Sequence, residues 1–410
     1  MDFIKFKKNI LCANNLPLIN LAQKKNTPFY LYSADQIKKN IKIFKSQLKS
    51  SKPLICFAVK SNSNLQILKQ ICQLWLGADV VSLGELKLAL KAGFKVNKIV
   101  FSGVGKTNNE LEFAIKKNIL SINAESKNEI ININTIAKAL NKKVSIGIRI
   151  NPNIKAKTNK KITTGDKINK FGISINDLYD IFKNKHKLSN INIHLLSVHI
   201  GSQIKDIQPY KKVLNTISKI LNTLRKDKHQ IKFIDLGGGM GIPYFKNDTK
   251  FKISEFAREV KKFHNKHKVN IIFEIGRYLI GDTGVIISKV TYLKEAGDRY
   301  FVILDTGMND MARSAIYEAF HEILPIIKRS KKFSKKIEFV GPICESSDTF
   351  GVYTKYSKLE EGDYICLTNC GAYGRTLSSN YNMRPLIEEV MINKNKLKTV
   401  RKRQSLNEII

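Results

Sequence analysis

The sequence predicts an α/β protein: a (β/α)8 TIM barrel followed by a C-terminal, mainly β domain of sandwich or barrel type. Three observations carry this. Short β-branched apolar runs alternate with longer stretches of helical apolar spacing from about residue 50 to 280. Eight such runs fit into roughly 230 residues, close to the roughly 250 typical of this barrel. Beyond residue 281 the helices nearly vanish and strand-like runs follow one another across Gly- and Asp-containing turns.

In order, the barrel strands are expected at LICFAV (54–59), DVVS (79–82), KIVFS (98–102), SINAE (121–125), VSIGIRI (144–150), IHLLSVHI (193–200), KFIDL (232–236) and NIIFEI (270–275). Between them lie helical patterns such as NLQILKQICQLW, GELKLALKAG, NNELEFAIKK, KNEIININTIAKAL and PYKKVLNTISKILNTLRK. An open doubly wound sheet would place a GxGxxG turn after its first strand, and none is there. The second domain is read from GVIISKVTYL, YFVILDTG, KIEFVGPIC and DYICLTNCGAY, with one short helix in NDMARSAIYEAFHEIL. The expected division is 28–280 for the barrel and 281–410 for the β domain, completed by residues 1–27. No Pro/Gly/Ser linker marks the junction, so close packing is expected there.

The chain has 410 residues, 43% of them hydrophobic, which is enough apolar material for a large core and excludes general disorder. Lys and Arg number 71 against 34 Asp and Glu, a net charge of +37. The lysines are scattered among Asn and Ile instead of forming a stripe, so they read as solvated faces and no nucleic-acid partner is expected. No apolar stretch approaches the roughly 18 residues of a membrane span, and the N-terminus lacks a secretory h-region, so a cytoplasmic protein without a membrane partner is expected. The six cysteines form no CxxC pair and read as free thiols. HNKH (264–267) lacks third and fourth ligands, so no metal is expected.

Reactive groups of a βα barrel sit where strands end. Those ends carry Lys60, His199, Gly237, Gly238, Gly239, Glu274 and Arg277. A lysine leaving an apolar strand can form a Schiff base. A glycine triplet offers backbone N–H groups to a phosphate, and an arginine adds charge. A carboxylate can keep a pyridine nitrogen protonated. Together these are the requirements of pyridoxal 5'-phosphate.

The motif FAVKSN resembles the cofactor-lysine motif of the group-IV, alanine-racemase-like decarboxylases. In order follow VVSLGEL, FSGVGKT, RINPN, TTG…NKFGI, SVHIGSQ, DLGGGMGIPY, FEIGR, LDTGMNDMARSAIY, GPICESSD, NCGAYG and NMRP. Across nearly the whole chain this is similar to the diaminopimelate decarboxylase family. EIGR replaces the usual EPGR, SLGEL the usual SGGEL, and KTNKK a KTHPY-like form.

The resemblance implies decarboxylation of meso-2,6-diaminopimelate to L-lysine and carbon dioxide, the last step of lysine biosynthesis. It assigns Lys60 to the covalent bond with the cofactor and His199 to stacking on the ring. Ser202, Gly237 to Gly239, Ile275, Gly276, Arg277 and Tyr373 would surround the cofactor, and Glu274 would pair with the ring nitrogen. Arg277, Arg313, Tyr317, Glu345 and Tyr373 would hold substrate. Cys344, as proton donor, and Glu345 would come from the second subunit of a homodimer. Ornithine- and carboxynorspermidine-type decarboxylases share the scaffold, but Arg277, Arg313 and Glu345 suit a second carboxylate and ammonium. The racemase branch implies an arginine at the ring nitrogen, where this chain has Glu274.

Overall fold

A computed structural model of the chain describes residues 1–155, 161, 164–165, 169–245 and 247–410. Most of KTNKK, and Thr163 of the TTG motif, lie outside the described residues. The chain divides into two compact units. One comprises residues 41–242 and 249–278; the other comprises 1–40, 243–248 and 279–410.

The first unit is a closed barrel of eight parallel strands. In chain order they are Leu54–Ala58, Gly77–Val80, Ile99–Phe101, Ser121–Ala124, Val144–Arg149, Ile191–Ser197, Phe233–Asp235 and Asn270–Ile275. Closure is made by the last strand against the first, with Glu274 opposite Cys56 and Ile275 opposite Phe57. Apolar Cys56, Val100, Leu195 and Ile272 fill part of the interior, so the barrel is a packed core and not a pore. Successive βα turns end in side-chain caps: Asn64, Ser82, Thr107 and Ser126 each accept from backbone N–H groups of the helix that follows. Each such cap satisfies donors that a helix start leaves open, stabilising it by about 1 kcal/mol. Strand ends and helix starts are thereby held in register, and the chemistry sits there.

The second unit is mainly β. Its central strand, Gly284–Ala296, pairs with Arg299–Leu304 on one edge, and with Phe29–Ser33 and Tyr364–Leu367 elsewhere along its length. Glu388–Asn393 extends the sheet beyond Phe29–Ser33, followed by Lys396–Arg401. On the opposite side the order continues through Lys336–Val340 to Thr349–Tyr353. Leu31, Val285, Ile287, Cys366, Val390 and Ile392 form its core, closed by Leu11 and Leu18 from the N-terminal segment.

Two expectations change. Residues 28–40 belong to the β unit, because FYLYS (29–33) finds its hydrogen-bonding partners in Gly284–Ala296 and Glu388–Asn393. The helix expected over NDMARSAIYEAFHEIL is confined to Arg313–Tyr317. Glu318 turns left-handed (φ 54°) and ends it, and Ile323–Pro325 is already a strand.

Candidate active site

The carboxyl ends of the barrel strands bring together a set of buried ionisable groups. Lys60 follows the first strand on a single 3-10 turn, Val59–Ser61. Its Nζ lies 2.6 Å from Oδ2 of Asp79, which is fully buried in the second strand. Burial and the nearby Glu274 charge push the Asp79 carboxyl up to about 7, against the pull of Lys60.

Glu274, in the last strand, is 5% exposed. Burial pushes its carboxyl up to about 8, and the charge of Asp235 adds to the rise; the two side chains are hydrogen-bonded. Ser102 Oγ donates to Glu274 Oε1 at 2.9 Å, and Asn123 Nδ2 donates in turn to Ser102 at 3.2 Å. Asp235 is held closer to the ordinary range, at about 6, because Gly237 N donates to its Oδ1 at 2.9 Å. Burial thus raises both carboxyls of the pair, and a positive charge brought against Glu274 would favour its ionised form.

The glycine triplet that follows Asp235 is fixed sterically. Gly237 and Gly239 have φ of +63° and +87°, where side-chain-bearing residues are strained. A Cβ on Gly238 would meet the Glu274 carbonyl oxygen at 2.1 Å. The backbone here passes too close to the last strand for any side chain, and the Gly237 N–H is spent on Asp235. Gly276 is tight as well, since its Cβ would lie 2.7 Å from Cβ of Ser61. Ile275, beside it, is buried. Arg277, 6% exposed, donates from Nη2 to Ser202 Oγ at 3.1 Å.

His199 follows the sixth strand, partly exposed. Its imidazolium is disfavoured by burial and then by the charges of Arg149 and Lys60, so its ring stays neutral well below the usual range. Thr164 pins it, donating to the His199 carbonyl at 2.8 Å with its Oγ1 3.2 Å from Nδ1. Beneath these groups Glu125 accepts from Arg149 Nη1 at 2.7 Å, Gly103 N at 3.1 Å and Gly172 N at 2.9 Å, tying three βα loops together.

The remaining candidates lie in the β unit. Arg313 is buried, while Tyr317 and Tyr373 are half-buried, Tyr373 with φ 57°. Cys344 and Glu345 are exposed on the turn between Lys336–Val340 and Thr349–Tyr353. Asp348 shapes that turn by accepting from Ile343 N at 2.7 Å and Met308 N at 2.6 Å. Tyr381 Oη donates to Glu345 Oε1 at 2.5 Å and Ser347 to Oε2 at 3.0 Å, which holds the Glu345 carboxyl below its usual range.

Sequence reasoning did not single out Asp79, Asp235, Ser102, Asn123, Glu125 or Arg149. The signal was present, because each is a polar residue in or just after a strand-like run already recognised.

The pyridoxal binding domain model of the pyridoxal-dependent decarboxylases matches residues 34–281. A diaminopimelate decarboxylase of Aquifex aeolicus is 38% identical over 408 residues, covering 100% of this chain and 96% of the relative. The crystal structure of diaminopimelate decarboxylase from Helicobacter pylori complexed with L-lysine superposes with TM-score 0.90 at 40% identity, covering 96% of this chain and 98% of that one. The M. jannaschii enzyme in co-complex with L-lysine gives 0.94 at 34% identity, over 100% and 97%. A lysine decarboxylase from Selenomonas ruminantium, at 21% identity and TM-score 0.81, shares the fold. The glycine cradle, the strand-end lysine and the buried carboxyl of Glu274 fit the cofactor of that family, and the chain belongs to the diaminopimelate decarboxylase family of pyridoxal-dependent decarboxylases.

Proposed function

We propose that the chain removes carbon dioxide from meso-2,6-diaminopimelate to release L-lysine. The observation that carries this is one barrel end bearing a lysine amine, a glycine cradle and a buried carboxyl, in a chain similar over its full length to diaminopimelate decarboxylases. Pyridoxal 5'-phosphate, when bound, supplies an aldehyde for amines and a protonated ring that takes up the electron pair left by departing carbon dioxide.

Each side chain then has a task. Lys60 would hold the cofactor covalently through its Nζ. Asp79 stabilises the ammonium form of Lys60 whenever that amine is released. Glu274 holds a proton at the ring nitrogen, and Asp235, Ser102 and Asn123 keep its carboxyl oriented. His199, being neutral, packs on the ring face without opposing the pyridinium charge. Backbone N–H groups of Gly238, Gly239 and Gly276, with Ser202, Arg277 and Tyr373, receive the phosphate, while Gly237, its own N–H held by Asp235, gives the turn its left-handed start. Ile275 adds an apolar contact.

Arg277, Arg313, Tyr317, Tyr373 and Glu345 hold the distal carboxylate and ammonium, and Cys344 returns a proton to the α-carbon. In this reading the enzyme is a homodimer in which Cys344 and Glu345 of each subunit complete the site of the other. Their exposure supports that, because a proton donor left in solvent would be poorly placed. The reading also puts the enzyme in the cytoplasm, where its six thiols stay reduced. Among the described residues no helix is long and apolar enough to cross a membrane.

The test is incubation of the cofactor-loaded protein with meso-diaminopimelate, ornithine, carboxynorspermidine and L-alanine, with decarboxylation products identified by mass and alanine by chiral chromatography. Lysine from meso-diaminopimelate alone supports the reading. Putrescine, norspermidine or racemised alanine as the main product overturns it.

A further inference from the structure

Arg313, at the start of the helix Arg313–Tyr317, is only 4% exposed. Its Nη1 donates to Tyr244 Oη at 2.8 Å and to His321 Nε2 at 2.9 Å. The guanidinium carbon lies 5.0 Å from the Tyr244 ring centre. The Tyr244 ring meets the His321 ring edge-on, centroids 5.1 Å apart. Three side chains from three separate segments thus touch one another pairwise.

The tautomer of His321 follows from its partners. A guanidinium can only donate, so Nε2 must be the accepting nitrogen. The proton then sits on Nδ1, which donates to the Thr368 carbonyl at 2.9 Å. Thr368 is itself anchored, its Oγ1 donating to the Glu322 carbonyl at 3.0 Å. His321 is fully buried, so the bond is not exchanged for water. Both groups accepting from Nη1 are uncharged. Between them they fix the plane of the guanidinium.

We infer that His321 and Tyr244 are positioning residues that aim the charged fork of Arg313 at a substrate carboxylate. The inference rests on the reading of Arg313 as a substrate-holding group. Neither residue touches the reacting atoms; they act through Arg313, so binding of the carboxylate should suffer more than turnover at saturation.

The experiment compares steady-state kinetics of the cofactor-loaded wild type with His321→Leu, His321→Gln, Tyr244→Phe and Arg313→Gln, on meso-diaminopimelate. In His321→Leu the acceptor is lost, and KM should rise about tenfold while kcat changes by less than about threefold. His321→Gln restores an acceptor on a longer amide arm and should bring KM back to within about threefold of wild type. Arg313→Gln should raise KM further than either. If Arg313→Gln raises KM and His321→Leu does not, the positioning role is wrong and the substrate role of Arg313 stands. If Arg313→Gln leaves KM unchanged, the substrate role falls and the inference with it. If His321→Gln behaves like His321→Leu, ring packing and not the acceptor matters, which overturns the inference. Should His321→Leu not fold, Tyr244→Phe decides, since it removes one acceptor and keeps the ring. A raised KM with preserved kcat supports the inference, and a wild-type KM overturns it.

Discussion

Lys60 Nζ and Asp79 Oδ2 lie 2.6 Å apart, joining the end of the first barrel strand to the middle of the second. The ammonium is one-third exposed and the carboxylate is not exposed at all. An amine must lose its proton before it can attack an aldehyde, and an opposite charge this close favours the protonated form. In the proposed reading, the Asp79 carboxylate therefore opposes loss of that proton before Lys60 takes up the cofactor.

Asp79→Asn removes that charge. The pH at which imine absorbance develops at half its maximal rate should move down by about one unit or more, as expected for loss of an adjacent carboxylate. Following absorbance after adding cofactor across a pH series checks this. An unmoved profile would mean that the ion pair does not govern Lys60.

Glu274→Gln separates turnover from folding. Turnover should fall at least about tenfold, roughly 1.4 kcal/mol of transition-state stabilisation, because the ring nitrogen loses its proton-holding partner. Stability of the cofactor-free protein should change in the other direction. In the fold the carboxyl is pushed up to about 8, chiefly by burial, from its ordinary value of 4.5. The neutral form is thus favoured in the fold, and stability present below about pH 4.5 is lost as pH rises towards 8. Glutamine cannot ionise, so the cofactor-free variant should be more stable than wild type at pH 8, with the gap shrinking at pH 4. Urea melts at the two pH values test it; a constant gap counts against the buried-acid assignment.

Much of this site was legible because barrel chemistry sits at strand ends, and strand ends are local. Lys60 and Glu274 each occupy the polar terminus of an apolar run, visible without knowledge of pairing. Asp79 and Asp235 were in view too, but a charge within or closing a strand has no meaning until its neighbours are known. FYLYS (29–33) shows the other limit. All five of its residues are buried, as in a barrel strand, and only its partners, Gly284–Ala296 and Glu388–Asn393, place it in the β unit. The stop of the helix at Glu318 was equally hidden, since a left-handed glutamate carries no sequence signature.

Gly238→Ala tests the cradle. The added Cβ would sit 2.1 Å from the Glu274 carbonyl oxygen, so either the triplet or the last strand must shift. Cofactor affinity should drop at least about tenfold, since misplaced N–H donors lose charge-assisted bonds to phosphate. Gly105→Ala, where nothing lies within 4 Å of the new carbon, is the control and should bind normally. Equilibrium titration followed by fluorescence gives both values. Equal affinities would remove the triplet from the phosphate site.

Complementation tests the shared site. Lys60→Ala and Cys344→Ala homodimers should each be inactive. Mixed under conditions of subunit exchange they should recover up to about a quarter of wild-type activity, because half the dimers are mixed and each has one intact site of two. Absence of recovery despite exchange, shown by mass-tagged subunits, would place Cys344 in the site of its own chain.

The central claim is that Lys60-bound pyridoxal phosphate converts meso-diaminopimelate to lysine, and the most direct measurement is paired quantification of lysine and carbon dioxide from wild type and Lys60→Ala. The account predicts equimolar lysine and carbon dioxide from the wild type and neither from the variant, which should also lose borohydride-fixed cofactor. Lysine formation by Lys60→Ala at the wild-type rate, or none by a fully loaded wild type, would contradict it.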